Sequence, residues 1–76
     1  MKEVLEVIAK ALVEHPDEVS VTEIAGDNSL TLELRVADGD MGKVIGKQGK
    51  IAKAIRTVVK AAASMENMHV SVDIVQ

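Results

Sequence analysis

No phenylalanine, tryptophan, tyrosine or cysteine occurs among the 76 residues, and there is a single proline. Without cysteine the chain can form neither a disulfide nor a thiolate metal site. Without aromatics, any core must be assembled from Val, Ile, Leu, Ala and Met, and hydrophobic residues make up 47% of the chain, enough for one core. The length gives one small domain, residues 1–76, with no room for a second. A domain of this size without staples is expected to be only modestly stable unless it oligomerises. No apolar run approaches the ~18 residues that would span a bilayer, so no membrane association is expected. The start, Met1-Lys2-Glu3-Val4, lacks the charged-then-apolar layout of a signal peptide. The default expectation is a soluble cytoplasmic protein.

One stretch also lacks acid. Between Met41 and Met65 there are six bases (Lys43, Lys47, Lys50, Lys53, Arg56 and Lys60) and no Asp or Glu. The rest of the chain carries three bases (Lys2, Lys10 and Arg35) and all twelve acids. The net charge of −3 therefore conceals a segment of +6 and a remainder of −9. An acidic whole-chain balance argues against nucleic acid, but binding answers to the potential at the contact surface. The bland alternative is a solvated helix face balanced by acids elsewhere in the fold.

Periodicity supplies the elements. Val4, Leu5, Ile8 and Leu12 recur at helical spacing and predict a helix over residues 2–14, which Pro16 stops. Residues 18–25 are rich in β-branched side chains and predict a strand, with a bulge or strand end near Glu23, where Ile24 breaks the alternation. Gly26-Asp27-Asn28-Ser29 predicts a hairpin turn. Leu30, Leu32, Leu34 and Val36 then alternate with polar residues, the cleanest strand in the chain. Asp40 is placed to cap a short helix over Met41–Ile45. A second helix is expected from about Lys50 to Ser64, with Ile51, Ile55, Val58, Val59 and Ala62 inward and Lys50, Lys53, Arg56, Thr57 and Lys60 outward. Residues 68–75 predict a last strand with Val70, Val72 and Ile74 on one face. The order α-β-β-α-α-β points to an α+β fold: a three-stranded mixed sheet with helices packed on one face. The strand-helix-helix-strand tail requires a parallel pair.

Between the two central helices lies Val44-Ile45-Gly46-Lys47-Gln48-Gly49-Lys50. Glycine permits sharp turns and close backbone approach, and a helix starting after such a turn aims free N–H groups at an anion. The stretch is thus a phosphate cradle with Lys47 and Lys50 at its rim. It is not a Walker A loop, because three residues separate Gly42 from Gly46 and Gln48 follows Lys47. No G-x-G-x-x-G pattern is present. No catalytic residue can be named: His15 and His69 have no evident partners, the carboxylates are scattered, and no serine sits in a nucleophile-elbow context. No metal site or cofactor is expected; Asp38 and Asp40 flank a glycine and read as capping residues.

Gly46-Lys47-Gln48-Gly49, preceded by Val44-Ile45, resembles the GXXG loop of a KH domain, which clamps about four nucleotides of single-stranded nucleic acid. The element order matches the type II arrangement of that fold, and the resemblance covers essentially the whole chain. The run Asp40 to Gly49, followed by Ile51-Ala52-Lys53-Ala54-Ile55-Arg56, is similar to the KhpA family of small stand-alone bacterial KH proteins. One departure from the general KH pattern is Ala52, where many KH domains place a larger aliphatic residue. The resemblance implies single-stranded RNA in a groove between the two central helices and the last strand. Lys47 and Gln48 would face the sugar-phosphate backbone, and Gly46 and Gly49 would allow its approach. Ile45 and Ile51 would form an aliphatic floor, while Lys43, Lys50 and Lys53 would extend the positive rim. It further implies a cytoplasmic RNA chaperone that pairs with a KhpB-type KH protein, linked to cell elongation and cell-wall homeostasis.

The missing aromatics bear on affinity. Stacking of bases on aromatic side chains is worth roughly 1–3 kcal/mol per base in other modules. A chain without it is expected to bind RNA weakly as one domain and more tightly as a pair. A second reading makes the fold a dimerisation or protein-interaction module with RNA contact secondary. It draws on Ala54, Ala61 and Met65, which widen the apolar face of the long helix, and on Ala61-Ala62-Ala63, which would admit a neighbouring helix.

Overall fold

Leu30, Leu32 and Leu34 alternate with polar neighbours, and this local period of two sets the centre of the fold. In the computed structural model, which describes residues 1–75, they lie on strand β2 (Ser29–Arg35) and are buried. β2 is flanked by β1 (Ser20–Gly26), antiparallel, and β3 (His69–Ile74), parallel, giving the sheet order β1-β2-β3. Helix α1 (Lys2–Leu12) precedes the sheet, and α2 (Met41–Ile45) and α3 (Lys50–Ser64) make the crossover from β2 to β3. The expected order, mixed sheet and parallel pair are all present.

Leu30, Leu32, Leu34, Val70 and Val72 point to one side and meet Leu5, Ala9, Val44, Ile55, Val59 and Ala63 from the helices. α1 packs beside β1 and α3 beside β3. Full burial of one Leu or Val contributes about 1.5–3 kcal/mol. Leu5, Leu32, Leu34, Val44 and Val59 are completely enclosed. The opposite sheet face carries Thr22, Ile24, Thr31, Glu33, His69, Ser71 and Asp73, and no helix among the described residues covers it.

Four local expectations need correction. β1 contains no bulge: Ser20 to Gly26 pair residue for residue with Arg35 to Ser29, and Ile24 simply stands on the open face, half exposed. α1 ends at Leu12, two residues before the predicted stop, because Val13 turns extended (φ −95°, ψ 163°). The N–H groups of Glu14 and His15 then leave the helical ladder for the Asp40 carboxylate. Asp40 makes no side-chain cap on α2. Finally, the buried stripe of α3 is Ala52, Ile55, Val59 and Ala63, while Val58 is 50% exposed. Small residues let α3 sit close to β3, so packing selects alanines that hydropathy alone ranks below valine.

The turns use asparagine where positive φ is needed. Asn28 (φ 56°) closes the two-residue hairpin loop between Gly26 and Ser29. Asn67 (φ 55°) ends α3 in a Schellman arrangement, with Met68 N–H bonded to the Ala63 carbonyl and Asn67 N–H to the Ser64 carbonyl, both at 3.2 Å. Asn tolerates the left-handed region better than most residues.

Candidate nucleic-acid interface

α2 ends where Gly46 takes φ 76° and ψ 175°, a region open essentially to glycine alone. Its N–H still bonds the Gly42 carbonyl at 2.9 Å, so the helix closes before the chain reverses. A Cβ at Gly46 would lie 2.6 Å from Ile51 Cγ1, so Ile51 packs directly beneath the turn. Gln48 is left-handed (φ 58°, ψ 24°) and Gly49 also (φ 74°, ψ 15°). A bond from Gly49 N–H to the Gly46 carbonyl at 3.2 Å closes the loop. Gly49 then stands at the N-cap of α3 with no side-chain cap. The first turn of a 15-residue helix thus opens onto the loop, with its N-terminal dipole favouring an anion.

The eight residues expected at the site follow one another along α2, the loop and the start of α3. Lys47 and Gln48 stand at the exposed tip. Lys50 and Lys53 are exposed on α3, and Lys43 is half-buried on α2. Ile45 and Ile51 are half-buried and pack against the core. Ala52, the departure from the general pattern, is buried beneath α3 and is not part of any open surface.

The six bases of the acid-free segment are not equivalent. Arg56, expected on the solvated stripe, instead donates from Nε to the Val72 carbonyl at 3.2 Å. His69 and Val75 send their N–H groups to Asn28 and Leu34 on the β2 side, so the alternate residue Val72 faces the free edge of β3. Arg56 covers part of that edge, where unpaired backbone groups would otherwise be open. Lys43 lies 3.5 Å from a Glu14 carboxylate oxygen. Among the described residues, Lys47, Lys50, Lys53 and Lys60 have no ion-pair partner.

Behind α2 lies a contact that no local pattern announces. Asp40 is 1% exposed, and its carboxylate accepts from Glu14 N–H (3.3 Å), His15 N–H (3.0 Å) and His15 Nδ1 (3.2 Å). Burial pushes the Asp40 carboxyl pKa up, but these hydrogen bonds and the His15 charge outweigh it, leaving it below the ordinary 3.8. The hydrogen bond to Asp40, with the charges of Asp40, Glu18 and Glu14, raises the His15 pKa above 6.5 despite partial burial. The partners are about 25 residues apart in sequence, so spacing could not link them. The clasp fixes the segment after α1 against the residue that precedes α2.

Away from the loop, Lys60, Ser64, Asn67, Met68, His69, Val70 and Ser71 line an open concavity of about 560 Å³. It lies at the opposite end of α3 from the glycine turn. No group of three or more His, Asp or Glu is placed to hold a metal ion among the described residues, and none of their helices is long and apolar enough to cross a membrane.

The comparisons with known proteins agree with this architecture. The family model described as the KhpA/KhpB KH domain matches residues 2–74. RNA-binding protein KhpA of Clostridium acetobutylicum is 65% identical over 75 residues, covering 99% of this chain and 100% of that protein. The protein of the same name from Chlamydia muridarum is 49% identical over 76 residues, covering 100% of this chain and 97% of its own. Among solved structures, Aquifex aeolicus Era bound to GDP and aluminium fluoride aligns with a TM-score of 0.60 at 23% identity, over 96% of this chain and 28% of that one. Era in complex with a nucleotide and a segment of 16S ribosomal RNA aligns with the same values. At that identity the likeness concerns the fold, and this chain spans just over a quarter of Era. The strand and helix order is that of a type II KH fold, and on the family model and full-length relatives the chain belongs to the KhpA/KhpB KH-domain family.

Proposed function

We propose that the protein binds single-stranded RNA on the ledge formed by α2, the Gly46–Gly49 loop and the start of α3. The observation that carries this reading is the loop geometry. Gly46 and Gly49 hold positive-φ conformations that turn the chain from α2 onto the N-terminus of α3, beside Lys47, Lys50 and Lys53, which have no ion-pair partner among the described residues. Its relatives are named RNA-binding proteins, a non-enzymatic class. Lys47 and Gln48 would contact the sugar-phosphate backbone, Ile45 and Ile51 would lie beneath the bases, and Lys43, Lys50 and Lys53 would supply the rim. The double variant Lys47→Asp/Gln48→Asp is expected to abolish binding to a labelled single-stranded RNA while leaving the circular dichroism spectrum unchanged. Retained binding in a folded double variant would overturn the reading.

A second element concerns partners. Val7 is 68% and Val58 50% exposed, and with Val4 and Ile8 they line an apolar groove between α1 and α3. Such a patch on a small aliphatic domain favours association, and a second copy of the chain is the occupant proposed. The broader role follows the family resemblance: a cytoplasmic RNA chaperone acting with a KhpB-type partner in cell elongation and cell-wall homeostasis.

A further inference from the structure

Among the described residues, Glu14 is the one acid that pairs with a base of the ledge. The segment from Met41 to Met65 carries no carboxylate of its own, yet Lys43 within it lies 3.5 Å from Glu14 Oε1. Glu14 is not there by chance of a flexible side chain alone. Its backbone N–H donates to Asp40 Oδ1 and that of His15 to Asp40 Oδ2, and Asp40 is buried at the residue before α2. The clasp therefore ties the backbone of Glu14 to the residue three positions before Lys43. The Glu14 side chain itself remains 71% exposed and Lys43 41% exposed, so the ion pair is open to competition from a phosphate.

We propose that Glu14 is an internal competitor for Lys43, an affinity-setting residue that RNA must displace to recruit that lysine to its backbone. The proposal rests on the RNA-binding reading above. A bound phosphate would otherwise gain the full charge of Lys43; with Glu14 in place, part of that attraction is already satisfied within the protein, and the carboxylate also repels the approaching anion. Exposed pairs are worth little, so the effect is a tuning of affinity, and added salt should screen it. The ledge then has two classes of base: Lys47, Lys50 and Lys53, ready for contact, and Lys43, held in reserve.

The test is fluorescence anisotropy of a labelled oligouridylate of about ten nucleotides with the full chain, Glu14→Gln, Lys43→Ala and the Glu14→Gln/Lys43→Ala pair. Glutamine keeps the backbone N–H that Asp40 accepts, and circular dichroism confirms that each variant is folded. Glu14→Gln is expected to bind about two- to fivefold tighter at about 50 mM salt, with a smaller gain at about 200 mM. In the Lys43→Ala background most of that gain should disappear. Unchanged affinity in Glu14→Gln overturns the proposal, as does a gain that survives intact without Lys43, which would mark general charge repulsion. Lys47→Asp/Gln48→Asp is measured alongside. If it abolishes binding while Glu14→Gln has no effect, the competitor proposal alone fails; if it still binds as the unmodified chain does, the loop reading fails.

Discussion

Single residues decide the loop. Gly46 and Gly42 stand near the two ends of α2, and their sequence contexts look alike, but they are physically opposite. Gly46 has a φ that L-residues rarely adopt, and a Cβ placed there would meet Ile51 at 2.6 Å, whereas a Cβ at Gly42 meets nothing within 4 Å. Gly46→Ala is therefore expected to lose about 2 kcal/mol or more, from backbone strain and overpacking together. At this chain length each kcal/mol shifts the thermal midpoint by about 4–8 °C, so calorimetry should show a large drop. Gly42→Ala replaces a poor helix former with the best one and is expected to gain about 0.5–1 kcal/mol. Equal effects of the two substitutions would contradict the loop geometry. The identity of the GXXG residues was legible in the sequence, since glycine spacing is a one-dimensional signal. The contact between Gly46 and Ile51 was not, because it depends on how tightly the chain folds back on itself.

At the scale of elements, the strands were legible because alternation with a period of two is local and needs no partner to be seen. Helix boundaries and faces were less so. α1 stops at Leu12 because Asp40 takes the next backbone donors, and α3 turns its alanines inward because the sheet lies close. The Asp40 clasp also gives stability a pH signature. His15 gains a partner on folding, so its contribution is complete below pH 6.5 and is lost as pH rises through its higher folded pKa. The Asp40 carboxyl is held below 3.8, so its contribution is complete above that value and is lost as pH falls through its lower folded pKa. Between 3.8 and 6.5 both contributions are present. Urea midpoints are expected to decline from about pH 6 to about pH 8 in the parent chain and to change less in His15→Gln. Asp40→Ala, which strands two backbone donors, should lower the midpoint at neutral pH far more than Asp38→Ala, which removes no such bonds. A parallel pH profile in His15→Gln would remove the histidine from this account.

For the whole molecule, the two partners proposed, RNA and a second copy of the chain, fall on different surfaces. The basic ledge lies along α2, the loop and the start of α3, while the valine groove lies between α1 and α3. In sedimentation equilibrium at high micromolar concentration the chain is expected to self-associate, and Val7→Lys/Val58→Glu to be monomeric and still folded. A strictly monomeric parent chain would remove the groove from the dimer proposal. The sequence by itself determined the order of elements, the face of β2 and β3 that is buried, and the loop that carries the glycines. It could do so because hydrophobic period, turn residues and charge runs are written in neighbouring positions. Tertiary structure alone decided that Asp40 serves the segment after α1 instead of capping α2, that Arg56 guards the edge of β3, and that Glu14 meets Lys43. Each of these joins residues far apart in the chain, and only packing of the helices onto the sheet brings such groups within reach of one another.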